Sequence, residues 1–274
     1  MNADAFRYDG KRALVVGGAT GMGAATAELV LDLGAEVVVM DYAEVSLPGV
    51  KAIHVDLADE ESIDRALDEC GGPIHALFSC AGVADGTPGI EKVNFIGHRH
   101  LIDHALATDL LPRGAAIGMI SSAAGLGWEN NLDLVKDYLD TPDFESAAAW
   151  IAEHGKADYM WSKQALCGYV AREAMKMLQR GIRINAILPG PTDTPLAQAN
   201  ADMWLTFAAD YRSEVGIEPS TPQEQAGPLA FLCSDAARYV NGVTMITDAG
   251  YVSSGITESY PPAKPVVDFL YGRY

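Results

Sequence analysis

Tyr159 and Lys163 have types and a spacing that could carry out proton chemistry. They lie four residues apart in the segment DYMWSKQAL, which puts both side chains on one face of a helix. A free phenol has a pKa of about 10 and is a poor base at neutral pH, whereas a nearby ammonium group favours the phenolate. The pair could therefore exchange a proton with a substrate oxygen. Because YxxxK can equally be a surface pair, its meaning depends on the rest of the chain.

Three glycines, Gly17, Gly21 and Gly23, follow an apolar run and open a helical pattern in the segment VVGGATGMGAATAELV. Residues without a Cβ let backbone N–H groups and the positive end of a helix approach a pyrophosphate. Such a turn can also bind nothing, but glycines between a strand and a helix at the start of a β-α-β series are typical of a dinucleotide site. We therefore predict that a dinucleotide binds here.

Asp41 ends the second apolar run, 18 residues beyond Gly23. An acidic residue about 20 residues past the glycines meets the adenosine ribose hydroxyls, and its charge would repel a 2′-phosphate. No basic residue stands at Met22, Ala24 or Tyr42 to neutralise such a phosphate. The alternative for Asp41 is a solvated turn residue, but its position and the lack of basic residues together favour NAD over NADP.

Short runs rich in β-branched residues alternate with helical patterns along the chain. Seven runs are typical of buried parallel strands: 12–16, 36–40, 52–55, 75–79, 116–120, 183–188 and 243–247. Helix start signals follow several of them, such as Asp59 before EESIDRAL and Thr221-Pro222 before QEQAGPLAFL. We predict a doubly wound, seven-stranded parallel sheet of the Rossmann-like α/β class, in a single domain covering residues 1–274.

One long segment interrupts this alternation before the helix that carries Tyr159. Residues 126–156 contain two short helical patterns, and Thr141-Pro142 is a start signal for the second. Long loops inside a compact domain are usually functional or separately packed. We expect a helical insertion that covers the substrate and forms part of a subunit contact, with a purely structural surface as the alternative.

Charge and composition restrict the possible partners. The chain carries 19 basic and 37 acidic residues, and its net charge of −18 would repel nucleic acid and anionic membrane surfaces. The N-terminal segment MNADAFRYDG has no apolar signal-peptide region, and no apolar run is long enough to span a bilayer. We expect a soluble, cytoplasmic protein with no nucleic-acid or membrane partner.

The sequence predicts neither a disulfide nor a metal site. The four cysteines form no CxxC pair and lie in strand-like and helical segments. His100 and His104 have the i,i+4 spacing of a metal-binding pair in GHRHLIDH, but no HExxH glutamate accompanies them. We therefore interpret these histidines as part of a solvated helix face.

Taken with the glycines, Asp41 and YxxxK, the chain resembles the short-chain dehydrogenase/reductase family over nearly all of its length. The motifs occur in family order: GxxxGxG at 17–23, VDLAD around 56, CAG at 80–82, VNFIG around 94, ISSAAG around 121–122, YxxxK at 159–163, PGPTDTP at 189–195 and TDAG at 247–250. Jointly these motifs are highly specific, and they imply roles for individual residues.

In the family pattern Tyr159 is the acid/base, Lys163 activates it and touches the nicotinamide ribose, and Ser122 orients the substrate oxygen. Asn94 belongs to a water-linked proton relay. The resemblance also implies cofactor contacts: an adenine pocket at Asp56 and Leu57, backbone at Ala81 and Gly82, nicotinamide-amide contacts at Thr192 and Thr194, and further contacts at Thr20, Met22, Pro189 and Gly190.

Residues 195–215 stand where the family has a mobile helical lid, and they offer apolar side chains to a ligand: Leu196, Met203, Trp204, Leu205 and Phe207. Three features depart from the common pattern. Val16-Gly17 replaces Thr-Gly, Cys80 replaces an Asn, and the separation between Ser122 and Tyr159 is long. This insertion, with GGATGMGAAT, resembles the branch of bacterial 3α-hydroxysteroid dehydrogenase/carbonyl reductases.

The resemblance implies an oxidoreductase that transfers a hydride between NAD(H) and a secondary alcohol or ketone, with a bulky hydrophobic substrate such as a hydroxysteroid. One alternative is a reductase of small non-steroid carbonyls or polyols. Another is a dinucleotide-binding regulator without catalysis, which Ser122, Tyr159 and Lys163 argue against because a sensor does not need them. The resemblance also implies a homo-oligomer, either a dimer or a tetramer.

Overall fold

Seven parallel strands form the centre of the molecule in a computed structural model that describes residues 3–273. The strands are β1 (Arg12–Val16), β2 (Glu36–Asp41), β3 (Lys51–His54), β4 (Ala76–Ser79), β5 (Ala116–Ile120), β6 (Arg183–Pro189) and β7 (Thr244–Thr247). Their order in the sheet is β3-β2-β1-β4-β5-β6-β7, and every neighbouring pair is parallel. The predicted doubly wound sheet is confirmed, and each predicted strand ends within one residue of the observed one.

Helices cover both faces of this sheet. They are α1 (Gly21–Asp32), α2 (Glu60–Cys70), α3 (Gly97–Ala107), α4 (Leu132–Leu139), α5 (Phe144–His154), α6 (Tyr159–Gln179), α7 (Pro195–Gln198), α8 (Ala201–Trp204), α9 (Ala209–Val215), α10 (Pro222–Cys233), α11 (Tyr251–Ile256) and α12 (Lys264–Leu270). A π-helical turn, Lys92–Ile96, leads directly into α3. None of the helices in residues 3–273 combines the length and apolar composition that crossing a bilayer requires.

Alternate strand residues pack into two separate cores, one on each face. Leu14 and Leu77 face the core formed with α2, α3 and α6. Val15 and Phe78 face the core formed with α1 and α10. Because both faces are covered, these strands read as continuous apolar runs in the sequence rather than as alternating ones.

Helices α2 and α5 each begin directly after a residue whose side chain caps the helix. The sequence places the start of α5 two residues too early. Asp59 accepts a hydrogen bond from the backbone N–H of Glu61 at the start of α2, as the sequence indicates. The second insertion helix, α5, begins after Asp143, whose carboxylate accepts from Ser146 N at 2.8 Å. The Thr141 hydroxyl instead donates to the Tyr138 carbonyl at 2.7 Å, so it completes the preceding turn and does not cap α5.

The insertion packs against the body of the fold. The ring of Trp150 in α5 lies 4.8 Å from that of Tyr138 in α4 and 5.6 Å from that of Trp161 in α6. Gly168 in α6 allows α4 to approach, since a Cβ there would come within 2.4 Å of Val135. The apolar faces of α4 and α5 are buried in the core shared with α3 and α6. A part of residues 126–156 in covering the substrate stays a prediction.

Candidate active site

A cleft of about 550 Å³ opens at the carboxyl ends of β1 and β2, next to the point where the strand order reverses from β1 to β4. Open α/β sheets bind their ligands at this switch point. Eleven of the predicted cofactor residues line it: Gly17, Thr20, Gly21, Met22, Gly23, Asp41, Asp56, Leu57, Ala81, Gly82 and Thr194.

Gly17 and Gly23 stand where the backbone of another segment comes too close to leave room for a Cβ. Gly17 has φ +84°, and a Cβ there would lie 2.4 Å from the Ala81 backbone. At Gly23 a Cβ would lie 1.9 Å from the carbonyl oxygen of Gly17. The turn therefore requires glycine, and it leads into the N-terminus of α1, where free N–H groups and the helix dipole suit a pyrophosphate. A dinucleotide fits these residues.

The adenosine end of the cleft is acidic. The two carboxylate oxygens of Asp41 accept from Ala19 N and Ala43 N, each at 2.8 Å, which fixes the orientation of the side chain. Tyr42 beside it is 71% exposed and rests on the His54 ring. Among the described residues that line the cleft, none is Lys or Arg. A 2′-phosphate would therefore meet a carboxylate and no nearby cation.

Tyr159 and Lys163 occupy the first turns of α6. The Lys163 ammonium lies 5.3 Å from the centre of the Tyr159 ring and donates to the Ile120 carbonyl at 3.1 Å. Ser122, just after β5, lies close enough to the Tyr159 phenol for a hydrogen-bonding interaction that lowers the pKa of the phenol. Ser121 donates to the Lys163 carbonyl and so ties α6 to the end of the same strand. Three of the four predicted catalytic side chains, those of Ser122, Tyr159 and Lys163, thus lie together.

Burial controls the protonation of this group. It raises the pKa of Tyr159 to about 12, because the hydrogen bond with Ser122 offsets only part of the cost of burying a phenolate. It also lowers the pKa of Lys163 to about 8. Lys163 is expected to favour the phenolate together with the oxidised nicotinamide, and its effect on the pKa of Tyr159 is smaller than that of burial. At neutral pH the phenol is protonated, which is the form that donates a proton.

Asn94 lies on the π-helical turn and not on a regular α-helix. Its side chain is fully buried, accepts from Val83 N at 2.7 Å and donates to the Val83 carbonyl at 3.0 Å. It also lies 3.3 Å from the Ser162 hydroxyl on α6. These contacts join the loop after β4 to the catalytic helix. The part of Asn94 in a proton relay stays a prediction.

The segment PGPTDTP contributes fewer cleft residues than the resemblance implies. The buried Thr192 hydroxyl donates to the Gly190 carbonyl and lies 2.9 Å from the Ser220 hydroxyl. Both hydrogen-bond partners of Thr192 therefore lie outside the cleft lining. Pro189 ends β6, and Gly190 packs against Asp248. Thr194 lines the cleft and also caps α7 through Ala197 N.

The helices α7, α8 and α9 form the lid region. Leu196 lines the cleft, and the ring of Trp204 lies 5.0 Å from that of Tyr159. Phe207 instead packs edge-on against Tyr251, and Met203 is 73% exposed. Of the apolar lid residues, Trp204 is thus the one in ring contact with the catalytic tyrosine.

Two polar residues that sequence reasoning missed support the site. Asp85 accepts a hydrogen bond from Tyr159 N at 2.7 Å and thereby anchors the start of α6. His98 lies 2.6 Å from the Ser79 hydroxyl and 3.0 Å from the Ala81 carbonyl, and burial lowers its pKa to about 4. The ring is therefore neutral and holds one wall of the cleft. No local pattern marks either residue, because both contacts cross between elements.

The switch-point cleft, the glycine turn and the group formed by Ser122, Tyr159 and Lys163 define a dinucleotide-binding oxidoreductase. The sequence profile of the family described as short chain dehydrogenase matches residues 11–131, and the one described as enoyl-(acyl carrier protein) reductase matches residues 144–252. The chain belongs to the short-chain dehydrogenase/reductase family, as its motifs indicate. It is therefore an oxidoreductase of alcohol or ketone substrates in a family that binds nicotinamide dinucleotides.

Individual relatives match most of the length of the chain. It is 31% identical to cis-4-hydroxycyclohexanecarboxylate dehydrogenase of Sinomonas cyclohexanicum, over 88% of this chain and 96% of that protein. It is 30% identical to the 3-alpha-hydroxysteroid dehydrogenase/carbonyl reductase of Comamonas testosteroni, over 86% and 95%. The crystal structure of the 3-alpha-hydroxysteroid dehydrogenase from Pseudomonas sp. B-0831 complexed with NADH superposes with a TM-score of 0.70 at 26% identity, over 91% and 99%.

Proposed function

We propose that the enzyme is an NAD-dependent dehydrogenase/reductase that interconverts a bulky hydrophobic secondary alcohol and its ketone. The observation that carries this proposal is the position of Tyr159. Its phenol lies next to Ser122, and its ring lies near both Lys163 and the lid residue Trp204. Lys163 Nζ would be 3.6 Å from a Cβ on Gly82, a residue of the cleft lining. A regulator without catalysis would need the cleft but not this group.

In ketone reduction Tyr159 donates its proton to the substrate oxygen, and in alcohol oxidation it takes that proton back. Ser122 holds the same oxygen by a hydrogen bond, which orients it toward the phenol. The Lys163 ammonium lies beside the ring and stabilises the phenolate that remains after proton transfer. A bound nicotinamide dinucleotide supplies the hydride in one direction and accepts it in the other.

Two features support a bulky, ring-containing substrate. Leu196 and Trp204 place apolar side chains beside the cleft and the catalytic tyrosine, so a flat apolar ring would bury surface against them. Both named relatives act on substrates with at least one saturated ring, a hydroxysteroid and a hydroxycyclohexanecarboxylate. A small carbonyl or polyol would leave Trp204 with little to contact.

The preference for NAD rests on Asp41 and on the lack of basic residues around the adenosine end. The test is a side-by-side assay with NAD and NADP, using a panel that includes a hydroxysteroid, cyclohexanol and a linear polyol. We expect the wild type to be at least about tenfold more efficient with NAD, since a repulsion of about 1.4 kcal/mol between the half-buried Asp41 carboxylate and a 2′-phosphate gives that factor. Asp41→Ala combined with Tyr42→Arg should lower the ratio of the efficiency with NAD to that with NADP.

Glu44→Ala, which removes a nearby charge outside the cleft, is the matched control and should leave the NAD/NADP ratio unchanged. Equal use of both cofactors by the wild type would contradict the role assigned to Asp41. Strong activity on the polyol with none on the hydroxysteroid or any other bulky alcohol would contradict the substrate class.

A further inference from the structure

Two pairs of potential metal ligands face each other across the contact between α2 and α3. Glu60 and Asp64 are spaced i,i+4 on α2, and His100 and His104 are spaced i,i+4 on α3. Asp64 Oδ1 lies 2.8 Å from His100 Nε2 and 2.8 Å from His104 Nδ1. One carboxylate oxygen is therefore shared by both imidazoles. The nearest ligand atoms of Asp64, His100 and His104 all lie within 4.8 Å of one another.

These histidines do not form the solvated helix face that their sequence suggests. Their side chains are only 18% and 23% exposed, and the insertion covers one side of the pair, where the Phe144 ring stands edge-on to His100 at 5.9 Å. Among residues 3–273, no Lys or Arg forms an ion pair with Glu60 or Asp64. Two carboxylates thus face two imidazoles with no permanent cation between them.

We propose that Asp64, His100 and His104 bind a divalent transition-metal ion of the zinc type. Two imidazoles and a carboxylate suit Zn²⁺, Co²⁺ or Ni²⁺, and Zn²⁺ takes such ligands at about 2.0–2.2 Å in tetrahedral geometry. Ligand atoms in that geometry stand about 3.4 Å apart. The three side chains already point toward one another. A small outward rotation would widen the two separations of 2.8 Å enough to admit the ion. Water would complete the coordination.

Glu60 has a separate part in this site. With His100 Nε2 on the metal, the ring proton sits on Nδ1, which lies 3.5 Å from Glu60 Oε1. A carboxylate that accepts the second N–H of a metal-bound histidine fixes its tautomer and orientation. Glu60 is therefore the positioning residue of the site, while Asp64 and the two histidines are ligands.

The bound ion would join α2 to α3 at the adenosine side of the cleft. α2 follows Leu57, which lines the cleft, and Gly97 at the start of α3 packs so tightly on Leu57 that a Cβ would lie 2.3 Å from its carbonyl oxygen. An ion bound only to the folded state stabilises it by mass action. The site is distinct from Tyr159, Ser122 and Lys163, so it does not depend on the proposed oxidoreductase function.

The test uses the full-length protein without a polyhistidine tag, stripped of metal by a chelator. Titration calorimetry with ZnCl₂ should give one bound ion per chain. Co²⁺ should produce the visible absorption bands that are typical of tetrahedral coordination. At a Zn²⁺ concentration about 100-fold above the dissociation constant, the thermal midpoint should rise by about 5 °C or more. His104→Gln and Asp64→Asn should each weaken binding at least tenfold and remove most of that rise.

His154→Gln is the matched control, because it removes an exposed histidine at the end of α5 and should leave Zn²⁺ affinity unchanged. NADH binding, followed by fluorescence, verifies that each variant is folded. Absence of saturable Zn²⁺ binding to the wild type up to about 1 mM overturns the proposal, since a three-ligand site should bind far more tightly. Unchanged affinity in folded His104→Gln also overturns it.

Discussion

Burial acts in opposite directions on the two residues that handle protons. It raises the pKa of Tyr159 to about 12 and lowers that of Lys163 to about 8. The phenol is therefore a proton donor at rest, while the ammonium beside it holds its proton less firmly than a solvated lysine does. Sequence spacing places these groups together, but the balance between their pKa values comes from the surroundings.

Tyr159→Phe should lower kcat by about 10²–10⁴-fold, the usual contribution of a general acid/base, with NADH affinity nearly intact. The change removes the hydroxyl that exchanges the proton but leaves the residues that line the cofactor cleft unchanged. Lys163→Ala should reduce both turnover and cofactor affinity. Steady-state kinetics and NADH fluorescence titrations measure the two effects.

Tyr169→Phe is the control for this pair of variants, because Tyr169 lies on the same helix and its buried hydroxyl has no hydrogen-bond partner among the described residues. Its activity should equal that of the wild type. If Tyr159→Phe retained comparable turnover, the assignment of the acid/base would be wrong.

Two tryptophans indicate different roles for the insertion (residues 126–156) and the lid (residues 195–215). Trp150 on α5 stacks between His154 and Trp161, and its indole N–H donates to Asp137 at 2.6 Å. Trp204 on α8 contacts Tyr159 and is part of the lid. The insertion therefore contributes to the core, whereas the lid contributes to the substrate site.

Trp150→Ala should lower the free energy of unfolding by about 3–5 kcal/mol, as expected for emptying a packed aromatic site, and leave KM for the alcohol within about twofold. Trp204→Ala should change stability by less than about 1 kcal/mol and lower kcat/KM for a bulky substrate. Urea unfolding and kinetics on the same two proteins measure both quantities. A large KM effect in folded Trp150→Ala would show that α5 reaches the substrate after all.

The whole molecule combines strong negative charge with exposed apolar side chains on a long helix. Its net charge is −18, and on α6 the side chains of Met175 and Leu178 are 71% and 55% exposed. Neighbouring exposed apolar side chains mark a contact surface, and closed symmetric assemblies are the usual outcome. In residues 260–273 the Phe269 side chain is 57% exposed and could add to such a contact, whereas Val267 and Leu270 pack in the core.

We predict that the protein is a homodimer or homotetramer in solution. Light scattering coupled to size-exclusion chromatography at physiological salt should give that mass. Met175→Glu with Leu178→Glu should lower it, because charge repulsion would oppose contact between two α6 surfaces. Met203→Glu, at an equally exposed methionine of the lid, should leave the mass unchanged. A monomeric wild type would contradict the assembly.

Local patterns in the sequence determined the sheet, the glycine turn and the catalytic helix. Strand burial on both faces, the need for residues without a Cβ at Gly17 and Gly23, and the spacing of Tyr159 and Lys163 each depend on residues that are close in the chain. For that reason the seven strands, the three glycines and Asp41 could be predicted from the residues themselves. The other seven cleft residues are predicted from the resemblance to the family.

Only the tertiary structure decided which distant side chains meet. It turned the Thr192 hydroxyl toward Ser220, packed the insertion on α3 and α6, and brought Asp85 to the start of the catalytic helix. It also placed Asp64 against His100 and His104, which the sequence separates by more than 30 residues. The physical reason is that these contacts depend on how helices stack on the sheet, and that geometry is set by the packing of the whole core rather than by any short segment.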